Sequence, residues 1–175
     1  NGVILIDIGG STTNIAIYEE GDLQYAAVIP VGGANITNDL AIGLKIDPEI
    51  AEKLKIEQAS AMSRDDASGF SLEYGGEILN FNTSDVDEIV EARLEEIFEA
   101  ISQHIKRAGR TGKLPSGAVI TGGGAQLRGI ADYAKESLGM AARIGVSSEY
   151  NGVADSIDKP QFATAIGLML IDAES

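Results

Sequence analysis

The period of the apolar positions changes repeatedly along this chain, and each change marks an element. Residues 3–8 form an apolar, β-branched run that ends at Gly9-Gly10, which predicts a buried strand. Residues 12–18 alternate, with Ile15 and Ile17 on one face, and predict a second strand. Glu20-Gly21-Asp22 reads as a turn and residues 23–30 as a third strand. Three strands joined by tight turns predict an antiparallel meander.

Beyond Gly32-Gly33 the period becomes helical. Ile36, Leu40, Ala41 and Leu44 predict a helix over 35–44. Asp47 at a cap and Pro48 at the first helical position predict another helix, ending near Glu57. Residues 59–69 are polar and poor in large apolar side chains, which predicts a mobile loop. Runs 70–74 and 77–81 alternate around Gly75-Gly76, whose freedom to adopt positive φ suits a type I′ hairpin turn. Ser84 is the predicted cap of a long helix, with Asp85, Asp87 and Glu88 at its positive end. Val86, Val90, Leu94, Ile97, Ile101 and Ile105 form its buried face, and Gly109 stops it. A short strand at 118–121 runs into Gly122-Gly123-Gly124, followed by a helix over 126–138, a strand over 141–145, a loop over 146–159 and an apolar helix over 161–171 that Pro160 starts. The order is three strands, a helix, a mixed insert, then strand, helix, strand, helix. No internal repeat and no low-complexity tract interrupts it.

Composition narrows the function classes. The 175 residues suffice for one core and a small appended lobe. Lys and Arg number 13 against 27 Asp and Glu, a net charge of −14. Such a surface is repelled by nucleic-acid phosphates and by anionic membranes. There is no Cys and one His, which excludes a disulfide scaffold or a thiolate metal site and argues against zinc. The longest apolar run, 163–171, falls short of the ~20 residues that span a bilayer. The start at Asn1-Gly2, directly into a strand and without Met, reads as a cut within a longer protein.

Two glycine clusters carry the candidate chemistry. In Asp7-Ile8-Gly9-Gly10-Ser11-Thr12-Thr13 the glycines let backbone N–H groups approach an anion, and the three hydroxyls add donors. Asp7, at a strand end, offers one carboxylate to the same place, which suits a hydrated Mg²⁺. Spacing alone fits a plain Gly-Gly hairpin equally well. The cluster is not a Walker loop, because Gly-x-x-x-x-Gly-Lys is absent and a strand follows the glycines. Ile120-Thr121-Gly122-Gly123-Gly124-Ala125 joins a strand to a helix start, and can hold a flat ring or a sugar close to the backbone, or serve only as a tight turn.

In this order and separation the two clusters resemble the second phosphate motif and the adenosine motif of the actin, Hsp70 and sugar-kinase superfamily. Residues 28–44, Val-Ile-Pro-Val-Gly-Gly-Ala-Asn-Ile-Thr-Asn-Asp-Leu-Ala-Ile-Gly-Leu, resemble the bacterial cell-division family FtsA at nearly every position, and residues 160–168 are similar to the last helix of its core. The resemblance implies an α/β fold: half of an actin-like molecule, with a ribonuclease-H-like mixed sheet (subdomain 2A, 1–46 and 113–175) and a small inserted α+β subdomain (2B, 47–112). It implies ATP with Mg²⁺ as ligands. Gly9, Gly10, Ser11, Thr12 and Thr13 would hold the β and γ phosphates, and Asp7 would face the metal through water. Gly122, Gly123, Gly124 and Ala125 would flank the adenosine, and Gly32 and Gly33 would lie near the ribose. Glu52 and Lys55 would contact the nucleoside; on residues alone they are equally a solvated salt bridge. Subdomain 2B would receive the C-terminal peptide of the tubulin-like partner FtsZ. Arg93 lies in that region, and read by itself it is an ordinary exposed Arg beside Glu91, Glu95 and Glu96. Self-association into filaments is implied, as is membrane contact only through a segment outside this chain, with a place at the inner face of the membrane at the division site. Asn14 stands where many relatives carry Asp, which removes an acidic group near the metal and points to slow hydrolysis. The alternatives are a pilus-assembly actin homologue of the PilM type, half of another actin-fold ATPase or kinase, and a nucleotide-free scaffold. With half the cleft outside it, the chain alone is expected to bind nucleotide weakly and to be inactive.

Overall fold

The computed structural model describes residues 2–64, 68–146 and 159–173. The predicted loop residues 65–67 and 147–158 lie outside the described residues. Strands β1 (Gly2–Ile8), β2 (Thr13–Glu19) and β3 (Asp22–Ile29) form the expected meander. Ile4, Ile6, Ile8, Ile15 and Ile17 point to one face and are buried, which is the alternation seen in the sequence. Glu20 and Gly21 close the second turn with φ of 56° and 94°.

Strands β4 (Gly69–Tyr74) and β5 (Glu77–Asn82) pair as a separate hairpin, and Gly75 and Gly76 turn it at φ 60° and 84°. Strands β6 (Ala118–Thr121) and β7 (Ala142–Ile144) join the first sheet. Its order is β3-β2-β1-β6-β7, antiparallel through β1 and parallel from β1 onward. The parallel register sets Asp7 opposite Thr121, so both glycine clusters leave the same end of adjacent strands.

Five helices complete the described structure: α1 (Gly33–Leu44), α2 (Pro48–Gln58), α3 (Thr83–Arg107), α4 (Ile130–Leu138) and α5 (Ala163–Ala173). Helix α3 packs along α1 and α4 and reaches β3 and β5. All six predicted apolar positions of α3 are buried, with Phe98 added. Phe98 meets Tyr133 of α4 edge-on, and the Tyr25 hydroxyl of β3 hydrogen-bonds His104 Nδ1 at 2.8 Å. One apolar cluster runs through the sheet, the hairpin and helices α1 to α4.

Three local expectations are corrected. The cap of α3 is Asn82, whose side chain accepts from the Ser84 amide, rather than Ser84. The chain after Gly122 makes a single 3₁₀ turn, Gly123–Gln126, and α4 begins only at Ile130, because Gly129 sits at φ 77° and breaks any continuous helix from 126. The start of the predicted loop 59–69 is packed: Ala59, Ser60 and Ala61 are buried, the Ala61 amide donates to the Arg128 carbonyl at 2.8 Å, and Ser60 bridges to Arg128. Arg64 then grips the buried Asp87 of α3 through Nε at 2.9 Å and Nη2 at 2.5 Å.

Candidate functional site

The site is built where β1 and β6 end. Ligands of open parallel sheets collect outside the carboxyl ends of the strands, because the loops diverge there and leave room. Gly9 closes its loop with its amide donating to the Thr12 carbonyl at 2.9 Å. Gly10 and Ser11 are exposed, and a Cβ on Gly10 would meet nothing within 4 Å. Thr12 is half-buried. Thr13 is buried and its hydroxyl donates to the Val31 carbonyl at 2.8 Å, so it braces the loop from beneath rather than opening onto it.

The amino end of α1 is docked onto this loop. The Gly33 amide donates to the Gly9 carbonyl at 2.9 Å and the Ala34 amide to the Gly10 carbonyl at 2.8 Å. Gly32 lies so close that a Cβ there would stand 2.6 Å from both carbonyl oxygens. Only glycine allows that approach.

The second cluster closes over β1. A Cβ on Gly122 would fall 2.3 Å from Asp7 Oδ1 and 2.6 Å from the Ile8 carbonyl, and one on Gly124 would fall 2.4 Å from Ile8 Cγ2. Gly122 also needs its φ of 84°. Gly123 is exposed with open space around it, and Ala125 is buried beneath the turn. The segment before α5 seals the outer side: the Gly122 amide and the Thr121 hydroxyl both donate to the Pro160 carbonyl, at 3.0 and 2.8 Å. Thr164 donates to Asp7 Oδ2 at 2.7 Å.

A polar network lies behind Gly33. Lys55 Nζ donates to the Gly33 carbonyl at 3.1 Å, to Thr37 Oγ1 at 2.8 Å and to Glu52 Oε2 at 2.7 Å. Thr37 Oγ1 in turn donates to Glu52 Oε2. Burial by itself raises the Glu52 carboxyl, but the hydrogen bonds from Lys55 and Thr37, with the Lys55 charge, outweigh it and hold the group below its ordinary value. The pair is a salt bridge built into a wider network with Thr37 and the Gly33 carbonyl, its lysine mostly buried and its glutamate partly exposed.

Arg93 is not an ordinary exposed Arg. Its guanidinium clasps Asp39 of α1, Nε to Oδ2 at 2.6 Å and Nη2 to Oδ1 at 3.0 Å, and also pairs with Glu96. The hydrogen bonds to Asp39, against the cost of burial, raise the guanidinium above its usual value. Arg93 and Asp39 floor a shallow groove of about 410 Å³ between α1 and α3, walled by Ile42, Gly43, Ile89, Ala92 and Glu96.

Of the fourteen predicted positions, Asp7 and Thr13 lie on the strands that flank the first loop, Glu52 and Lys55 lie on α2, and the other ten lie on the two loops or on the glycine turn that joins them to α1. The sequence pattern did not mark Thr37 and Thr164 as site residues. Thr37 had a signal: α1 buries Gly33, Ile36, Thr37 and Leu40, and a polar residue on an inward face needs a partner. Thr164 had none, since nothing in an apolar helix announces a carboxylate across the sheet.

The donor set suits a phosphate chain with a hydrated Mg²⁺. Gly10 and Gly123 leave open space beside exposed backbone, one carboxylate stands at the end of β1, and the hydroxyls of Ser11, Thr12 and Thr164 lie on the surrounding segments. Among the described residues there is no cluster of three or more His, Cys, Asp or Glu that would cage a metal without such a partner.

The chain is similar to known actin-fold structures. Over 99% of its length it superposes on 55% of MreB5 of Spiroplasma citri bound to ADP, with a TM-score of 0.72 and 19% identity. Over its full length it superposes on 47% of a chain in the PilM-PilN type IV pilus biogenesis complex, with a TM-score of 0.74 and 18% identity. These likenesses establish the fold. In sequence, the cell division protein FtsA of Bacillus subtilis is 38% identical over 172 residues, covering 96% of this chain and 38% of that protein. FtsA of Pseudomonas aeruginosa is 34% identical over 173 residues, covering 97% and 42%. The chain thus spans less than half the length of these relatives. The model of the family described as cell division protein FtsA matches residues 4–167. With an actin-like half-molecule assembled around both glycine loops and a family match over nearly its whole length, the chain belongs to the FtsA cell-division family.

Proposed function

We propose that this chain forms one wall of an ATP cleft in an actin-like cell-division protein that polymerises and tethers FtsZ filaments to the membrane at the division site. The observation that carries the reading is the convergence of the two glycine loops at the ends of β1 and β6, with α1 docked on the first. Gly9, Gly10, Ser11 and Thr12 would hold the phosphates, with Thr13 as their brace. Asp7 would accept from metal-bound water, and Gly122, Gly123, Gly124 and Ala125 would flank the adenosine. Gly32 and Gly33 would lie near the ribose. Mg²⁺ supplies neutralisation of the phosphate charge when bound. Asn14, exposed opposite Asp7 in the strand register, adds no second carboxylate, in keeping with slow turnover that acts as a switch.

Residues 1–46 and 113–175 would act as subdomain 2A and 47–112 as subdomain 2B, which would receive the FtsZ tail. Filament growth requires a heterologous, non-closing contact between copies. The structures similar to this fold include a MamK double helical filament, which supports self-association. Membrane contact would run through a segment other than this one; no described helix is long and apolar enough to cross a membrane.

The full-length protein is expected to form ATP-dependent filaments on lipid and to bind an FtsZ tail peptide. Electron microscopy showing only monomers, together with no peptide binding, would defeat the reading. Calorimetry with Mg²⁺ and ATP separates a nucleotide-free scaffold: no heat at millimolar nucleotide would remove the site assignments.

A further inference from the structure

Asp7 is held from two sides by segments far from it in sequence. Its Oδ1 lies against Gly122, where a Cβ would stand 2.3 Å away. Its Oδ2 accepts from the Thr164 hydroxyl at 2.7 Å, across 157 positions of sequence. Among the described residues no other hydrogen bond reaches this carboxylate. Its strand neighbours do not fix it: Asn14, opposite in β2, is exposed, and the hydroxyl of Thr121, opposite in β6, is spent on the Pro160 carbonyl. That same carbonyl places Thr164. It takes the Gly122 amide at 3.0 Å and the Thr121 hydroxyl at 2.8 Å, and beyond Thr164 the Ile166 side chain is buried, so the first turn of α5 is anchored on both sides of the threonine. Thr164 itself is exposed, so burial does not force its hydroxyl onto Asp7. What the bond fixes is orientation. The last torsion of an aspartate is broad, and a carboxylate walled at one oxygen and hydrogen-bonded at the other is no longer free to turn.

We infer that Thr164 is a positioning residue: through its hydroxyl, α5 holds the Asp7 carboxylate in the orientation that accepts from Mg²⁺-bound water, so the metal dependence of nucleotide binding runs through α5. The inference rests on the ATP and Mg²⁺ reading of the cleft and adds to it a residue outside both glycine loops. Hydrogen bonds from metal-bound water make directional demands on their acceptor. A carboxylate free to turn loses that freedom each time the ligand binds, whereas a fixed one has lost it already on folding. Each carboxylate oxygen carries two acceptor positions, so Thr164 occupies one on Oδ2 and leaves the second. The hydroxyl thus supplies orientation and leaves the charge in place. Valine at this position keeps the branched shape and removes the donor, while serine keeps the donor.

The test uses the full-length protein and measures the ATP dissociation constant with Mg²⁺ and again with EDTA. Each protein is scored by the ratio of the two constants, so a general loss of affinity or stability cancels. The wild type is expected to bind at least about tenfold more tightly with Mg²⁺, the scale of a hydrogen bond to a charged group. Thr164→Val should lower that ratio by about threefold or more, and Thr164→Ser should keep it within about twofold of wild type. In an Asp7→Asn background Thr164→Val should shift the ratio by less than about twofold, because the hydroxyl acts through that carboxylate. The inference is overturned if Thr164→Val keeps the wild-type ratio, or if Thr164→Ser loses as much as Thr164→Val. It is also overturned if Thr164→Val lowers the ratio as far in the Asp7→Asn background as in the wild type. Each of these results leaves the ATP cleft standing. A wild type that binds ATP equally with and without Mg²⁺ would remove the metal reading of Asp7, and one that binds no nucleotide would remove the cleft; the inference falls with either.

Discussion

At the scale of single residues, the glycines divide into two kinds that the sequence writes identically. Gly122 is fixed by the fold: it needs a φ of 84°, and its missing Cβ is the space that Asp7 and the Ile8 carbonyl occupy. Gly10 faces open space. Gly122→Ala should therefore cost at least about 2 kcal/mol, since strained backbone and a clash with main chain add. Gly10→Ala should stay within about 0.5 kcal/mol of wild type, as surface changes do. If the first loop binds phosphates through its backbone, the Gly10 methyl should still weaken ATP binding by on the order of tenfold, because it stands where an anion must approach. Urea unfolding of both variants and nucleotide titration of Gly10→Ala check the pair, and equal loss of stability in the two would contradict the distinction. The spacing Gly-Gly and Gly-Gly-Gly marked both loops but could not separate these roles, because they depend on what the fold brings alongside. Thr13 shows the same limit: its hydroxyl reads as one more donor in a Ser-Thr-Thr run, and the strand turns it inward to Val31.

At the scale of elements, strands and helices were legible where the period was long or a glycine pair marked the turn. The hairpin at Gly75-Gly76 and the six apolar positions of α3 needed nothing beyond the sequence. The segment after α2 was not legible, because small side chains such as Ala59, Ser60 and Ala61 carry no periodic signal and bury themselves by backbone pairing to Arg128. The start of α4 was hidden for a related reason, since Gly129 breaks the helix through a φ that a sequence pattern does not display. Arg64 and Asp87 tie the loop to α3, and the two partners are unequal: the Asp87 side chain is 1% exposed and that of Arg64 25%. Removing the arginine side chain takes the countercharge from a buried carboxylate and leaves it the Arg64 amide, at 3.1 Å, as a donor, whereas removing the aspartate leaves a guanidinium that reaches water. Arg64→Met should cost about 3 kcal/mol, and Asp87→Asn clearly less. Chemical denaturation of the two variants checks this, and the reverse order would show that the carboxylate finds other partners when the arginine is gone.

At the scale of the whole molecule, the groove between α1 and α3 and the glycine loops share one element. Helix α1 starts on the Gly9 and Gly10 carbonyls and carries Asp39, which holds Arg93 at the groove floor. Yet the site remains a single wall. The described residues place the backbone of both glycine loops and one carboxylate on one side of the proposed nucleotide position, and the chain matches only 38–42% of the length of its FtsA relatives. Affinity for a charged ligand comes from enclosing it, because donors on one face leave the opposite face in water and the charge screened. The isolated chain should therefore bind Mg²⁺ and ATP with a dissociation constant no tighter than about 1 mM, a binding free energy near −4 kcal/mol. The full-length protein should bind in the micromolar range or tighter, the gain reflecting closure of a second wall on the ligand. Titration of both by calorimetry or by a fluorescent nucleotide tests this. Micromolar binding by the isolated chain would show that these loops suffice alone, and that enclosure contributes little to affinity in this cleft.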